Sequence, residues 1–240
     1  MSCMQQPLFR GPPGDPYWDY VVLLLHFEGV NGGIVMTDSS KYARAPLSVG
    51  QIVTTTIPGT FKVGSSAAYQ PGGNVLQYSP TTDISFPNGT DFTIEFWVNT
   101  SQPVTSCAMI GRQSGASTNR WFLGITNQSG GIHNIPYRPA WFFNGSETAS
   151  GDELFPLNTW THYAVARAGI ALRLFVNGQM VANVVDTNDY TDANNLGIFA
   201  TGDQTVPCIA PSYIDELRIT KGIARYTANF TPSIIPFLSY

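Results

Sequence analysis

Paired carboxylates are the first chemistry to look for, because they cleave glycosidic bonds. Retaining hydrolysis needs two carboxyl groups about 5–5.5 Å apart, and inverting hydrolysis about 6.5–9.5 Å. The alternating segment Phe92–Thr100 carries one acid, Glu95. Asp152-Glu153 and Asp215-Glu216 are adjacent pairs, which a strand sends to opposite faces. Asp186, Asp189 and Asp192 fall in a turn-rich polar stretch. No pair combines spacing with a strand context. His26, His133 and His162 have no Ser or Cys signature beside them, so an activated nucleophile is not expected either. No catalytic residue is assigned.

Recognition fits these residues better. Small-ligand sites join apolar surface to a few placed polar groups. Three stretches have that mixture: Asn119-Arg120-Trp121, residues 135–145 and residues 186–195. Tyr137, Arg138, Trp141 and Asn144 are the expected carbohydrate contacts. Trp97, Trp121, Trp141 and Trp160 also sit in strand patterns, where a tryptophan serves more often as core. Tyr137 and Arg138, next to Pro136 and Pro139, are the better surface candidates. Five N-x-S/T sequons, at Asn88, Asn99, Asn127, Asn144 and Asn229, read as by-products of an Asn/Ser/Thr-rich chain.

The elements that must position these groups are strands. Of 240 residues, 12% are charged, 12% are aromatic, and Gly and Pro number 23 and 17. Soluble domains usually carry roughly 25% charged residues. Coiled coils, helical bundles and disorder are excluded by this composition. A net charge of −4 with three lysines and no basic run excludes a nucleic-acid binder. Phe92, Ile94, Phe96 and Val98 alternate with Thr93, Glu95, Trp97 and Asn99 as one strand with two faces. Further strands are expected at 21–28, 47–57, Cys107–Arg112, Trp121–Thr126, 140–143, Thr161–Ala168, 172–176, Gln179–Val185 and 213–220. In the last, Tyr213, Asp215, Leu217 and Ile219 alternate with Ile214, Glu216 and Arg218. Asn177-Gly178 between two alternating runs predicts a type I′ hairpin, whose central residues both need positive φ. Residues 222–229 suit one short turn. About a dozen short strands predict an antiparallel two-sheet sandwich in one domain, residues 17–240. Residues 1–16 form a Pro/Gly arm without a core of its own. Cys3, Cys107 and Cys208 make neither a metal pattern nor a disulfide framework. Reduced thiols are expected, with Cys107–Cys208 the one pair a sandwich could bring together. The start of the chain shows no signal peptide, and its longest apolar run, 21–25, is far below the ~20 residues of a membrane span.

Four pieces, in order, carry a resemblance. They are Leu23-Leu24-Leu25-His26-Phe27-Glu28-Gly29 with Asp38-Ser39-Ser40, and Phe92-Thr93-Ile94-Glu95-Phe96-Trp97-Val98. The third is Trp160-Thr161-His162-Tyr163 running through 172–176 to Asn177-Gly178, and the fourth is Tyr213-Ile214-Asp215-Glu216-Leu217-Arg218-Ile219. Together they resemble laminin-G-like, concanavalin A-type jelly rolls over about residues 17–232. The resemblance implies a structural Ca²⁺ held by Asp38 and Asp215, although Lys41 and Arg44 bring positive charge to the same turn. Residues 220–232, Thr-Lys-Gly-Ile-Ala-Arg-Tyr-Thr-Ala-Asn-Phe-Thr-Pro, look like the version found in tailed-bacteriophage structural proteins.

The expectation is therefore an all-β, antiparallel two-sheet jelly-roll sandwich without enzymatic activity. It would stand on a virion surface, as a tail or capsid-decoration component made in the host cytoplasm. There it would dock to other virion proteins through its arm, form a homo-oligomer, and bind glycans or reinforce the particle. No nucleic-acid partner and no membrane insertion are expected. The alternative is a free carbohydrate-binding module or lectin, and a more distant one is a glycoside hydrolase of the same fold.

Overall fold

Turn residues every few positions cut this chain into short strands. The computed structural model describes residues 14–101, 106–113, 115, 117–127 and 136–240, so most of the N-terminal arm, Cys3 and His133 lie outside the described residues. The strands are β1 (Val21–Leu25), β2 (Val53–Thr55), β3 (Ala67–Gln70), β4 (Leu76–Tyr78), β5 (Phe92–Thr100), β6 (Cys107–Arg112) and β7 (Trp121–Thr126). They continue with β8 (Arg138–Phe143), β9 (Ser146–Ser150), β10 (Thr161–Ala168), β11 (Ala171–Val176), β12 (Gln179–Val185), β13 (Leu196–Ile198) and β14 (Ser212–Lys221). An eight-stranded antiparallel sheet runs β12-β11-β10-β5-β14-β3-β2, with β1 also on β14, and a six-stranded sheet runs β4-β13-β6-β7-β8-β9. This is the expected two-sheet, all-β sandwich.

The core lies between the sheets. Phe92, Ile94, Phe96 and Val98 face Trp121, Leu123, Ile125 and Trp141 within one cluster. Trp121 and Trp141 stack with ring centroids 5.1 Å apart. Side chains of this size each contribute about 1.5–3 kcal/mol on burial. The Asn177-Gly178 hairpin forms as predicted, with φ of 50° and 75°. Gly178 is constrained a second time, because a Cβ there would lie 2.0 Å from the Phe230 carbonyl oxygen.

Three expectations change. First, the outer face of β5 is covered, with Thr93, Glu95 and Trp97 all buried. The segment after β14, expected as one short turn, crosses this face as a strap. Tyr226 Oη donates to Glu95 (2.7 Å), and Trp97 Nε1 donates to the Ser233 carbonyl (3.0 Å). Phe230 packs edge-on to His162. Small residues of β10, Ala164 and Ala166, make room for Phe175, Tyr226 and Phe230.

Second, the alternation of β14 breaks at Glu216, whose φ is 49°. The register shifts between Asp215 and Arg218, and the core receives Ile214, Leu217 and Ile219. One inserted residue flips every later side chain to the other face. The first half of β14 then pairs with β3 and the second half with β1.

Third, Cys107 and Cys208 form a disulfide across 101 residues, which replaces the expected buried thiols. Two interactions carry Cys208 inward: its N–H donates to Phe199 (2.8 Å), and Gln70 Nε2 donates to its carbonyl (2.9 Å). The expected strand 47–57 also divides. Leu47 and Ser48 donate to the Gln77 carbonyl on the smaller sheet, while Val53–Thr55 joins the larger one.

Candidate functional site

Glu95 is the one acid of the alternating segment Phe92–Thr100, and its surroundings explain its presence. Both Nε and Nη2 of Arg218 donate to Oε1, at 3.0 and 2.7 Å, and Tyr226 occupies Oε2. Burial opposes ionisation, but Arg218, His162 and Arg225 outweigh it and hold the carboxyl well below its usual range. A carboxylate so held has no proton to give at neutral pH. Asp15 completes the cluster by bridging Arg218 (3.0 Å) and Arg225 (2.7 Å). Glu95 is thus the anchor of the strap.

The two aspartates expected at calcium are likewise engaged. Asp38 accepts from the N–H groups of Leu24, Ser40 and Arg44 and from the Ser40 hydroxyl, at 2.9–3.1 Å. Arg44 Nη1 lies 3.6 Å away. A cation at Asp38 would displace four donors and face a guanidinium, so this donor set does not fit Ca²⁺. Asp215 Oδ2 accepts from Lys62 and Val63 N–H, both at 2.8 Å, while the buried Oδ1 has no partner. Burial pushes this carboxyl up to about 7 against those two amides, and the charges of Glu216 and Glu28 add to the rise. Among the described residues, no group of three or more His, Cys, Asp or Glu side chains is placed to hold a metal ion.

The four expected sugar contacts separate. Trp141 is fully buried between Trp121 and Tyr190 and offers no face to a ligand. Arg138, expected on the surface, is fully buried in β8 and paired with Glu147 (3.2 Å). Tyr137 precedes it, half-buried and left-handed with φ of 55°. Asn144 stands at the far end of β8, in a second Asn-Gly hairpin turn. There it accepts from Arg120 N–H through Oδ1 (3.2 Å) and from Arg120 Nη2 through its carbonyl (3.1 Å). The three polar stretches therefore do not form one site. The 119–121 and 186–195 stretches, with Asn144, do meet at one rim.

That rim holds a groove. Its first part has a volume of about 280 Å³ and is bounded by Pro80, Thr82, Ser85, Arg112 and Asp192. The adjoining part, about 260 Å³, is bounded by Gln113, Asn194, Asn195 and Asp203, and Pro80 and Ala193 line both. Arg112, buried at the end of β6, shapes it. Its Nε donates to the Asn194 carbonyl (2.9 Å), and its Nη1 donates to those of Thr81 (2.9 Å) and Ile84 (2.8 Å). One side chain thus fixes the loops on both sides of the groove. Arg167 does the same one layer in, joining Thr90, Asn188 and Asp186.

The rest of the loop order comes from Asp-x-Asn/Thr turns. Asp192 accepts from both the N–H and the side-chain amide of Asn194, and Asp186 does so with Asn188. Asp203 accepts from Thr205 N–H and hydroxyl and from Gly115 N–H. Burial opposes ionisation of Asp203, but these donors hold its carboxyl below the usual range. Such Asx turns were the signal available in the sequence: four Asp-x-Asn/Thr triplets fall within residues 186–205, and those starting at Asp186, Asp192 and Asp203 form the turns that cap these loops. Asn119 ties the neighbouring loop to it by donating to the Thr191 hydroxyl (2.7 Å).

Comparisons with known proteins agree with this architecture. The binding domain of Paraclostridial mosquitocidal protein 1 superposes with a TM-score of 0.64 at 13% identity, covering 88% of this chain and 50% of that one. Domain 4 of AbnA, an extracellular arabinanase of Geobacillus stearothermophilus solved with arabinotriose, gives 0.56 at 16%, covering 85% and 93%. The botulinum neurotoxin serotype D ligand-binding domain, solved with N-acetylneuraminic acid, gives 0.56 at 12%, covering 90% and 49%. This chain spans about half the length of the two toxin domains. No curated protein sequence matches it. A laminin-G family model matches residues 72–224, more than half of the sequence. By that match and by its two-sheet fold, the chain belongs to the concanavalin A-like lectin/glucanases superfamily.

Proposed function

We propose that this protein is a non-enzymatic carbohydrate-binding domain whose sugar contacts lie in the rim groove beside Arg112. The observation that carries the reading is the groove itself: an open channel, apolar surface with a few placed hydroxyl and amide groups, whose two walls are fixed by one buried arginine. Preformed walls lower the ordering cost of binding a flexible ligand. Sugar complexes of the arabinanase domain and of the serotype D toxin domain support a binding role for the fold. The engagement of Glu95 by Arg218 and Tyr226 supports the absence of hydrolysis. Within that reading, residues 220–232 support a place on a tailed-phage particle, as a tail or decoration component attached through its N-terminal arm.

The test is a glycan array followed by calorimetry on the full chain. Asn195→Ala and Thr82→Ala should each weaken the strongest array ligand at least tenfold without changing the melting temperature. Tyr137→Ala should leave its affinity unchanged. Unchanged affinity in both groove variants would move the site elsewhere. Product release from a polysaccharide would overturn the non-enzymatic assignment. Absence of the chain from purified phage particles would overturn the virion assignment.

A further inference from the structure

The rim groove also carries a charge pattern, and this bears on which sugars it admits. Three of its side chains, Thr82, Ser85 and Asn195, make no hydrogen bond of their own among the described residues and face the channel. They offer hydroxyl and amide groups, each able to donate and accept, which suits neutral polyols. Among the described residues, the two acids in the walls, Asp192 and Asp203, accept from hydroxyls and amides and form no ion pair within 4.0 Å, although the charge of Asp192 acts on Arg112 in the same wall. Arg112 offsets Asp192, so the negative charge left in the groove is that of Asp203. The one guanidinium there, Arg112, directs Nε and Nη1 at the carbonyls of Asn194, Thr81 and Ile84. The other cations of this rim are engaged as well. Arg120 donates to the carbonyls of Ser117 and Asn144, Lys221 to that of Thr82, and Arg44 pairs with Asp83. A carboxylated sugar entering beside Asn195 would meet the fixed Asp203 carboxylate, and Arg112, with Nε and Nη1 both taken, offers no free two-nitrogen fork, the arrangement that recognises carboxylates best.

We infer that the groove selects neutral oligosaccharides, of pentose or unmodified hexose units, and excludes sialylated and uronic-acid glycans. This rests on the proposed sugar-binding role of the same groove. Like-charge juxtaposition is the usual means of rejecting a competitor that otherwise fits.

The experiment is calorimetry on the full chain with matched ligands: arabinotriose, lactose against 3′-sialyllactose, and methyl-esterified against free trigalacturonic acid. Each is measured at low and at physiological salt. At least one neutral compound should bind, with its acidic counterpart at least tenfold weaker at low salt. The gap should narrow as salt screens the repulsion. Asp203→Asn should narrow the ratio between each neutral compound and its acidic counterpart at low salt. Should Asp203→Asn misfold, the salt dependence of the matched pairs still decides. Equal or tighter binding of the acidic members would overturn the selectivity while leaving the sugar-binding role intact. No binding of any compound would overturn both.

Discussion

Replacing Asp215 by asparagine should abolish the pH dependence that this one carboxyl imposes on stability. The side chain is fully buried, Oδ2 is held by Lys62 and Val63 N–H, and Oδ1 meets no donor. Its carboxyl is pushed from 3.8 up to about 7 by burial, with Glu216 and Glu28 adding to the rise against the two amides. The folded state thus keeps a proton between pH 4 and 7 that the unfolded chain has released. Unfolding releases that proton, so stability falls as pH rises. The stabilisation from protonated Asp215 is fully present below about pH 4 and is lost as pH climbs through 7. Three units at 1.36 kcal/mol each set the effect at about 4 kcal/mol. Asparagine keeps an acceptor for the two amides and carries no charge at any pH. Its new N–H₂ group, set where Oδ1 is unpartnered, costs about 1–3 kcal/mol. The variant should therefore be equal to or less stable than the parent at pH 4.5 and more stable at pH 8. The assay is urea unfolding followed by tryptophan fluorescence, both proteins side by side from pH 4.5 to 8.5. The stability difference should widen by up to about 4 kcal/mol and level off above pH 8. A difference that stays constant across this range would refute the reasoning.

Three other outcomes follow from buried contacts. Cys107→Ser with Cys208→Ser opens a loop spanning 101 residues, so stability should fall by up to about 4–5 kcal/mol and reductant should no longer affect the melting temperature. Arg112→Met leaves three loop carbonyls without their donor, and should cost about 3–5 kcal/mol and abolish groove binding, read by denaturant titration and calorimetry. Glu95→Gln leaves Arg218 without its main counter-charge and should destabilise the fold by roughly 3–5 kcal/mol at pH 7. Because the Glu95 carboxyl is held low in the folded state, its contribution is present above the unfolded carboxyl range. It is lost as pH falls, so the parent and Glu95→Gln should converge in acid.

Sequence patterns reveal those parts of this fold that local physics dictates. β5, β6, β7, β10 and β12 are bounded as their alternation and turn residues predict, and Asn177-Gly178 turns as its φ requirement demands. Strands β3, β4, β9 and β13 have three to five residues and little β-branched content, and exist only because a neighbour supplies their hydrogen bonds. The bulge at Glu216 left no mark because Glu has no special preference for positive φ; the cause is β14 changing partners from β3 to β1. The buried Trp141 and Arg138 misled as sugar contacts for a related reason. Flanking prolines suggested that Arg138 lies on the surface before a strand at 140–143, while pairing with β7 extends that strand back to Arg138 and buries both side chains. The disulfide was equally out of reach, since only the folded chain brings Cys107 and Cys208 together.

The placement of the groove follows from what covers the sheets. On the larger sheet, the polar-looking face of β5 is closed by the strap, and the tight contact of Phe230 with Gly178 leaves no slack there. On the smaller sheet, the outward residues Ala108, Phe122, Ala140 and Phe142 form a second buried cluster, with Phe122 and Phe142 stacked 4.2 Å apart. Neither sheet therefore presents its broad face as an open aromatic platform at these positions. What remains accessible and polar is the rim, where loops lack strand partners and side chains must supply their order. Arg112, Arg167 and the Asp-x-Asn/Thr turns do so from inside, which leaves Thr82, Ser85 and Asn195 without structural work. A substitution that changes these three should alter the ligand and not the fold, whereas a change at Arg112 should alter both.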